Sequence, residues 1–419
     1  MKKKMLVIPG GFVPYNDPVT LLSYKHLRLL DLDMDVVALK GKEDKTIFNE
    51  LNNDSNYSKF KIEYICDYDD AVATFERKNV ISGVYNSIRY ILKAINKFKS
   101  YKYDFVYTSS IPCFTHVAGY FIKKRNPNVK WIASFSDPLK KSPYKYDKES
   151  FKEYSLIAKI GFLVYIFIYM NGLYESIAMK YADKIIYICE EQEEFMIRNH
   201  KYPNLKDKSM IIPLNYIPEW KMYSELITVK NVQKPQTAKL TMGHFGRIYG
   251  LRLVDKFIDA LNEVNNELNG ELANKLVIYQ YGQFLDRYIN QIKKYKLEDL
   301  FVFSEKIPYS DAVEKMKQVD ILALFDTILD DDQPQPYLPS KFLEYVLLQK
   351  PIFTIACKNS PMARFSRELN VLYSDNQVNA IKRNIYKVLN VEFDSKKNNY
   401  QQFENSLCVK PLIEYINEQ

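Results

Sequence analysis

The sequence predicts an α/β fold of two doubly wound, mainly parallel-sheet domains, and three observations carry that prediction. Short apolar runs alternate with helix-like stretches along the chain, the rhythm of βαβ units whose sheet is covered on both faces. The rhythm pauses once, over 218–238, where no clean period is present, and then restarts. The length, 419 residues, exceeds what one ordinary core organises. The expected layout is a first domain over 1–217, a linker over 218–238, a second domain over 239–400, and a last helix over 401–419 packing back on the first domain.

Taken in order, KKMLVIPGG is an apolar run ending in two glycines, a buried strand followed by a tight turn. LLSYKHLRLLDL reads as a helix, and MDVVALK, YDFVYTSS, KWIASFSD and DKIIYICE as further strands ending in small or polar residues. VYNSIRYILKAINKF and YESIAMKYA are the helices between them. In the second half KLTMGHFG, KLVIYQYG, LFVFSEKI, DILALFD and PIFTIAC are strands, with KFIDALNEVNNEL and DAVEKMKQV among the helices. Open α/β sheets bind ligands at the carboxyl ends of their strands. Two such domains facing a central cleft would put a site there, which directs attention to residues just after strands.

Composition narrows the partners. Hydrophobic residues make up 47% and aromatics 14%, ample for burial. Cys66, Cys113, Cys189, Cys357 and Cys408 show no CxxC spacing, as expected of free thiols in a reducing compartment. MKKKMLVIPGG lacks the apolar stretch and cleavage site of a signal peptide, so a cytoplasmic protein is expected. The net charge of +8 is uneven: residues 1–230 hold 35 Lys+Arg against 27 Asp+Glu, and the remainder holds 24 of each. The first half therefore faces something anionic. Without an RGG tract, zinc spacing or RNP pattern, nucleic acid is the weaker candidate and an anionic membrane surface the stronger. The apolar run Ile160–Met170 covers only about half of a bilayer core, which takes roughly 20 residues. It reads as a buried helix or one lying in the interface.

Four loops are candidates for chemistry. GGFVPYNDP, with Gly10 and Gly11, is either a simple turn or a backbone approach to an anion, and it is not a GxGxxG fingerprint. Asp137 in FSDP follows a strand and precedes a proline, so it is either a turn starter or an acid/base and sugar-orienting carboxylate. In GHFGRIYGLR, Gly246 and Arg247 follow the strand directly; Arg247 can clamp a diphosphate bidentately and Arg252 can add a second charge, or both are solvated. The fourth, PYLPSKFLEYVLLQKPI, follows Asp330, Asp331 and Asp332, which read as a solvated acidic loop before a metal site. If Ser340 caps the helix, Lys341 and Glu344 lie one turn apart on one face. The dipole favours Glu344 there by about 0.3–1 kcal/mol and disfavours Lys341, unless an anion binds. His26, His116, His200 and His244 show no metal-ligand spacing, and no GxSxG elbow or P-loop is present.

The chain resembles the GT-B glycosyltransferases, specifically the retaining group-1 type (glycosyltransferase family 4) of bacterial surface-polysaccharide and capsule synthesis. YDFVYTSSIPCFTHVAGYFIKKRNPNVKWIASFSDP, ADKIIYICEEQEEF and MIIPLNY are similar to that family's first domain; GHFGRIYGLRLVDKFIDAL, LVIYQYG and LFVFSEKIPYSDAVEKMKQVDILALF are similar to its donor domain. PYLPSKFLEYVLLQKPI occupies the place of its E-x7-E pattern, with Glu344 as the second glutamate and Pro336 where the first would stand.

The resemblance implies two Rossmann-like domains and a UDP- or GDP-sugar donor, with no metal or other cofactor needed. It further implies a glycan or polyprenyl-diphosphate-linked acceptor at the inner membrane face, and transfer with retention. Arg247 and Lys341 would meet the diphosphate, helped by Arg252, Gly246 and Ser340. Glu344 would hold ribose, Gly10 and Gly11 would allow close approach, and Asp137 would serve the acceptor or sugar ring. The lysines of LKAINKFKSYK and FIKKRNPNVK would attract anionic lipid. Two rivals remain: a catalytically silent subunit that positions a partner enzyme, and a nucleotide-sugar epimerase. The missing GxGxxG disfavours a dehydrogenase.

Overall fold

The computed structural model describes residues 2–15, 17–71, 80–143, 172–228, 239–329, 333–369, 371–392 and 399–419. The chain divides into two compact units, Met1–Met222 with Phe403–Gln419, and Tyr223–Gln402. The expected apolar helix at Ile160–Met170 and the acidic run Asp330–Asp332 lie outside the described residues.

The N-terminal unit carries strands β1 (Lys4–Gly11), β2 (Asp33–Lys40), β3 (Phe60–Asp67), β4 (Phe105–Ser110), β5 (Lys130–Phe135), β6 (Lys184–Tyr187) and β7 (Ser209–Ile211). They form one sheet in the order β3-β2-β1-β4-β5-β6-β7, all parallel. The order reverses at β1/β4, the switch point of a doubly wound sheet. β1 is buried along nearly its whole length because helices cover both faces, which is why it reads as an unbroken apolar run.

The second unit carries β8 (Leu240–Phe245), β9 (Leu276–Tyr281), β10 (Phe301–Ser304), β11 (Ile321–Phe325), β12 (Ile352–Ile355) and β13 (Val371–Ser374). Their order is β10-β9-β8-β11-β12-β13, again parallel throughout, with the switch at β8/β11.

The stretch read as a linker, 218–238, contains a helix, Lys221–Ile227. Its first amides have no partner within the helix; the Glu50 carboxylate accepts from Lys221 N (2.9 Å) and Met222 N (2.7 Å). The C-terminal segment joins the N-terminal unit through Tyr216 N to Phe403 O (3.0 Å) and Asn405 N to Tyr216 O (2.8 Å). Its helix Lys410–Glu418 buries Leu412 and Ile416.

Candidate functional site

In the second unit the turn after β8 is held by the ends of β9 and β11. Gly246 N donates to Tyr281 O (3.0 Å), Ile248 N to Gln283 O (2.8 Å), and Ile328 N to Leu251 O (2.9 Å). Below the turn, buried His244 donates from Nδ1 to Gln280 Oε1 (2.8 Å), and Gln280 Nε2 donates on to Gly246 O (2.9 Å). Burial keeps the His244 imidazole neutral, its pKa pulled down to about 4. Gly282 sits at φ +114°, and a Cβ there would stand 2.7 Å from Gly246 O; only glycine allows the two loops to meet.

This turn presents two guanidinium groups on one side chain. Arg247 is exposed and lies 5.2 Å from the Tyr249 ring centroid, with Arg252 at 5.3 Å from the same ring. Arg252 Nη1 also donates to Arg247 O (3.2 Å). Arg247 further lines a pocket of about 510 Å³ with Gly282, Phe284, Phe303, Glu305 and Lys306, at the carboxyl ends of β8, β9 and β10.

Asp326, one residue past β11, is 1% exposed. Its Oδ1 accepts from Thr327 N (2.7 Å) and Gln335 Nε2 (2.8 Å). Burial pushes its carboxyl up to about 7, against the opposing pull of the Thr327 amide, the Arg252 charge and Gln335. Gln335 Oε1 then accepts from Tyr337 N (2.7 Å), tying Asp326 to the loop that leads into helix Lys341–Leu347. Tyr345 of that helix accepts from Phe245 N through its hydroxyl (3.3 Å). The helix is thus fixed to the end of β8.

At the start of this helix Ser340 makes no side-chain cap, contrary to expectation. Its φ/ψ of −57°/−33° are already helical, whereas capping requires an extended residue whose side chain can turn back to the amides. Lys341 does not stand alone either: its Nζ is 2.8 Å from Glu344 Oε2 and 4.7 Å from the Tyr309 ring centroid. Pro336 is buried.

In the N-terminal unit Gly10 adopts φ +78° and packs so closely on Pro112 that a Cβ would stand 2.4 Å from Cδ. Its amide donates to Tyr90 Oη (3.1 Å), and the next helix, Pro18–Leu27, is capped by Asp17. Asp137 is half-buried on a loop clamped from two sides. Ser136 Oγ donates to Ser110 O (3.1 Å), and Glu175, fully buried and paired with His200, accepts from Leu139 N (2.6 Å) and Lys140 N (3.3 Å). Among the described residues no group of three or more His, Cys, Asp or Glu could hold a metal ion.

No protein-family model matches the chain, and no curated protein matches it in sequence. Solved structures do match in fold. Sucrose-phosphate synthase from Thermosynechococcus elongatus matches with TM-score 0.60 at 11% identity, over 100% of this chain and 99% of that one. A glycosyltransferase from Rickettsia africae matches with TM-score 0.61 at 14% identity, over 100% and 98%.

The chain has the GT-B fold.

UDP-GlcNAc 2-epimerase from Methanocaldococcus jannaschii matches with TM-score 0.50 at 12% identity, over 99% and 100%, so a GT-B fold alone does not choose a reaction. Within the second GT-B unit, Gly246, Arg247 and Arg252 share one turn, while Ser340, Lys341 and Glu344 share one helix start. Sequence reasoning missed Tyr249, Tyr309, Asp326 and Gln335. Tyr249 sat inside a quoted motif, and Asp326 ended a quoted strand; position just after a strand was the signal that marked both.

Proposed function

We propose that the chain is a glycosyltransferase that moves a sugar from a nucleotide-diphosphate donor to a glycan or polyprenyl-diphosphate-linked acceptor. The setting is cell-surface polysaccharide synthesis at the anionic inner face of the membrane. The observation that carries this reading is the turn Gly246–Arg252, which holds two guanidinium groups against one tyrosine beside a pocket with an aromatic wall. The leaving diphosphate gains negative charge as the glycosidic bond breaks, and fixed cations stabilise that charge without a metal. Arg247 and Lys341 take the diphosphate, Arg252 adds to the field, and Glu344 takes ribose hydroxyls. The base of a UDP- or GDP-sugar enters the Phe284–Phe303 pocket. Lys341 and Glu344 pair with each other across 2.8 Å. Donor binding replaces this pair with contacts to phosphate and ribose. Asp137 serves the acceptor or the sugar ring, and transfer proceeds with retention.

The likeness to a UDP-GlcNAc 2-epimerase favours a second reading, interconversion of a nucleotide sugar without an acceptor. Thermal shift with UDP-, GDP-, ADP- and dTDP-sugars tests donor binding: one nucleotide class stabilises the protein under the proposal. Stabilisation by none supports a silent subunit. Product analysis without acceptor then separates the enzymes, since only an epimerase accumulates a new nucleotide sugar.

A further inference from the structure

The pocket of about 510 Å³ in the second unit has two chemically different ends. Its walls come from the loops after β8, β9 and β10, which lie side by side in the order β10-β9-β8. Arg247 stands on the β8 loop, Gly282 and Phe284 on the β9 loop, and Ser304, Glu305 and Lys306 on the β10 loop. Gly282 N donates to Ser304 O (2.9 Å), which fixes the last two loops to each other. Two strand spacings separate the outer loops, roughly 10 Å. A molecule lying across the pocket therefore meets a guanidinium at one end and a carboxylate at the other.

Between those ends the wall is aromatic. The Phe284 and Phe303 ring centroids are 5.3 Å apart, and Phe303 is 42% exposed although it is large and apolar. Such a ring stacks on any nucleobase, because every base has a π-face. The aromatic wall thus holds a base without choosing it, and the choice falls to the polar groups at the β10 end.

Glu305 is the one acidic side chain that lines the pocket. Among the described residues neither Glu305 nor Lys306 makes a hydrogen bond or ion pair. Other carboxylates of the unit are engaged: Asp259 by Gln291 and Tyr295, Glu267 by Lys382 and Tyr386, Glu314 by Lys317. An ionised carboxylate only accepts, and its two oxygens match two donors side by side. Guanine offers that pair, N1–H and the N2 amino group, with O6 next to them as an acceptor for a lysine. Uracil offers one N–H between two carbonyls, which a carboxylate repels. Adenine and cytosine each set an amino group beside an acceptor nitrogen, so one carboxylate oxygen is left opposed to a lone pair.

We propose that Glu305 makes this pocket selective for guanine, so that the donor is a GDP-sugar; this rests on the donor reading of the Gly246–Arg252 turn. Glu305 accepts from N1–H and the N2 amino group, Lys306 donates to O6, and Phe303 stacks on the purine. The test is isothermal titration of the full chain with GDP, UDP, ADP and IDP, whose hypoxanthine base lacks the N2 amino group. Wild type is expected to bind GDP about tenfold or more tighter than each of the others. Glu305→Gln replaces one acceptor oxygen by a donor, a pattern that suits uracil better than guanine. It should weaken GDP by about tenfold, leave UDP as tight or tighter, and abolish the difference between GDP and IDP. UDP or ADP binding wild type as tightly as GDP overturns the proposal and leaves the donor reading standing. An unchanged order of the four nucleotides in Glu305→Gln also overturns it, because the selection then lies elsewhere. Binding of none of the four by wild type removes the donor reading and this proposal together.

Discussion

Arg247 and Glu344 make separable contributions under the proposed chemistry, because one meets charge that develops and the other holds a group present throughout. Arg247→Ala is expected to lower kcat by about 10²-fold with little change in KM, the size seen when one preorganised charge-stabilising donor is lost. Glu344→Ala should raise KM for the donor by roughly tenfold and leave kcat nearly intact. Steady-state kinetics read both, and equal, negligible effects contradict the roles. Asp326 gives a pH signature. Its folded pKa of about 7 lies above its ordinary value of 3.8, so the folded state holds the proton more tightly than the unfolded one. The stability gained from that proton falls as pH rises from about 4 to about 7, at up to about 1.4 kcal/mol per unit. Asp326→Asn should flatten this slope in denaturant titrations across that range; an unchanged slope refutes the assignment. The titration of Asp326 was not legible along the chain. Arg247 announced itself by following a glycine after a strand, whereas Gln335 and Arg252, which oppose the effect of burial on Asp326, are brought near it only by the fold.

At the scale of elements, the turns around the candidate site depend on glycine geometry that a sequence does not display. Gly282 and Gly270 both adopt positive φ, at +114° and +87°, yet only Gly282 faces a close atom, with Gly246 O at 2.7 Å from a built Cβ. Gly270→Ala should therefore cost about 1 kcal/mol from φ alone. Gly282→Ala should cost about 2–3 kcal/mol and also weaken donor binding, by pushing the Gly246 turn aside. Thermal melts with and without donor compare the two; equal costs refute the close-approach argument. Element legibility divided by burial. β1 and β11 read clearly because both are buried almost throughout. β3 was missed: its burial is mixed, with exposed and half-exposed residues along an edge strand, so FKIEYICD lacks an unbroken apolar run. The Ser340 cap failed for a local reason, since the backbone turned helical one residue earlier than the cap requires.

At the scale of the molecule, the alternation of apolar runs and helical periods was enough to anticipate two parallel-sheet units, because buried parallel strands must be apolar on both faces. The helix Lys221–Ile227 was not legible. Its start is satisfied by Glu50, some 170 positions earlier, and no local period announces it.

Under the proposed function a nucleotide sugar is held by the second unit on the turn after β8. Hydrogen exchange read peptide by peptide, with and without a stabilising nucleoside diphosphate, tests it most directly. Slowed exchange is expected to be confined to 246–252, 282–284 and 341–344, and to be lost in Arg247→Ala. Unchanged exchange in all three segments, or protection that persists in Arg247→Ala, would contradict it.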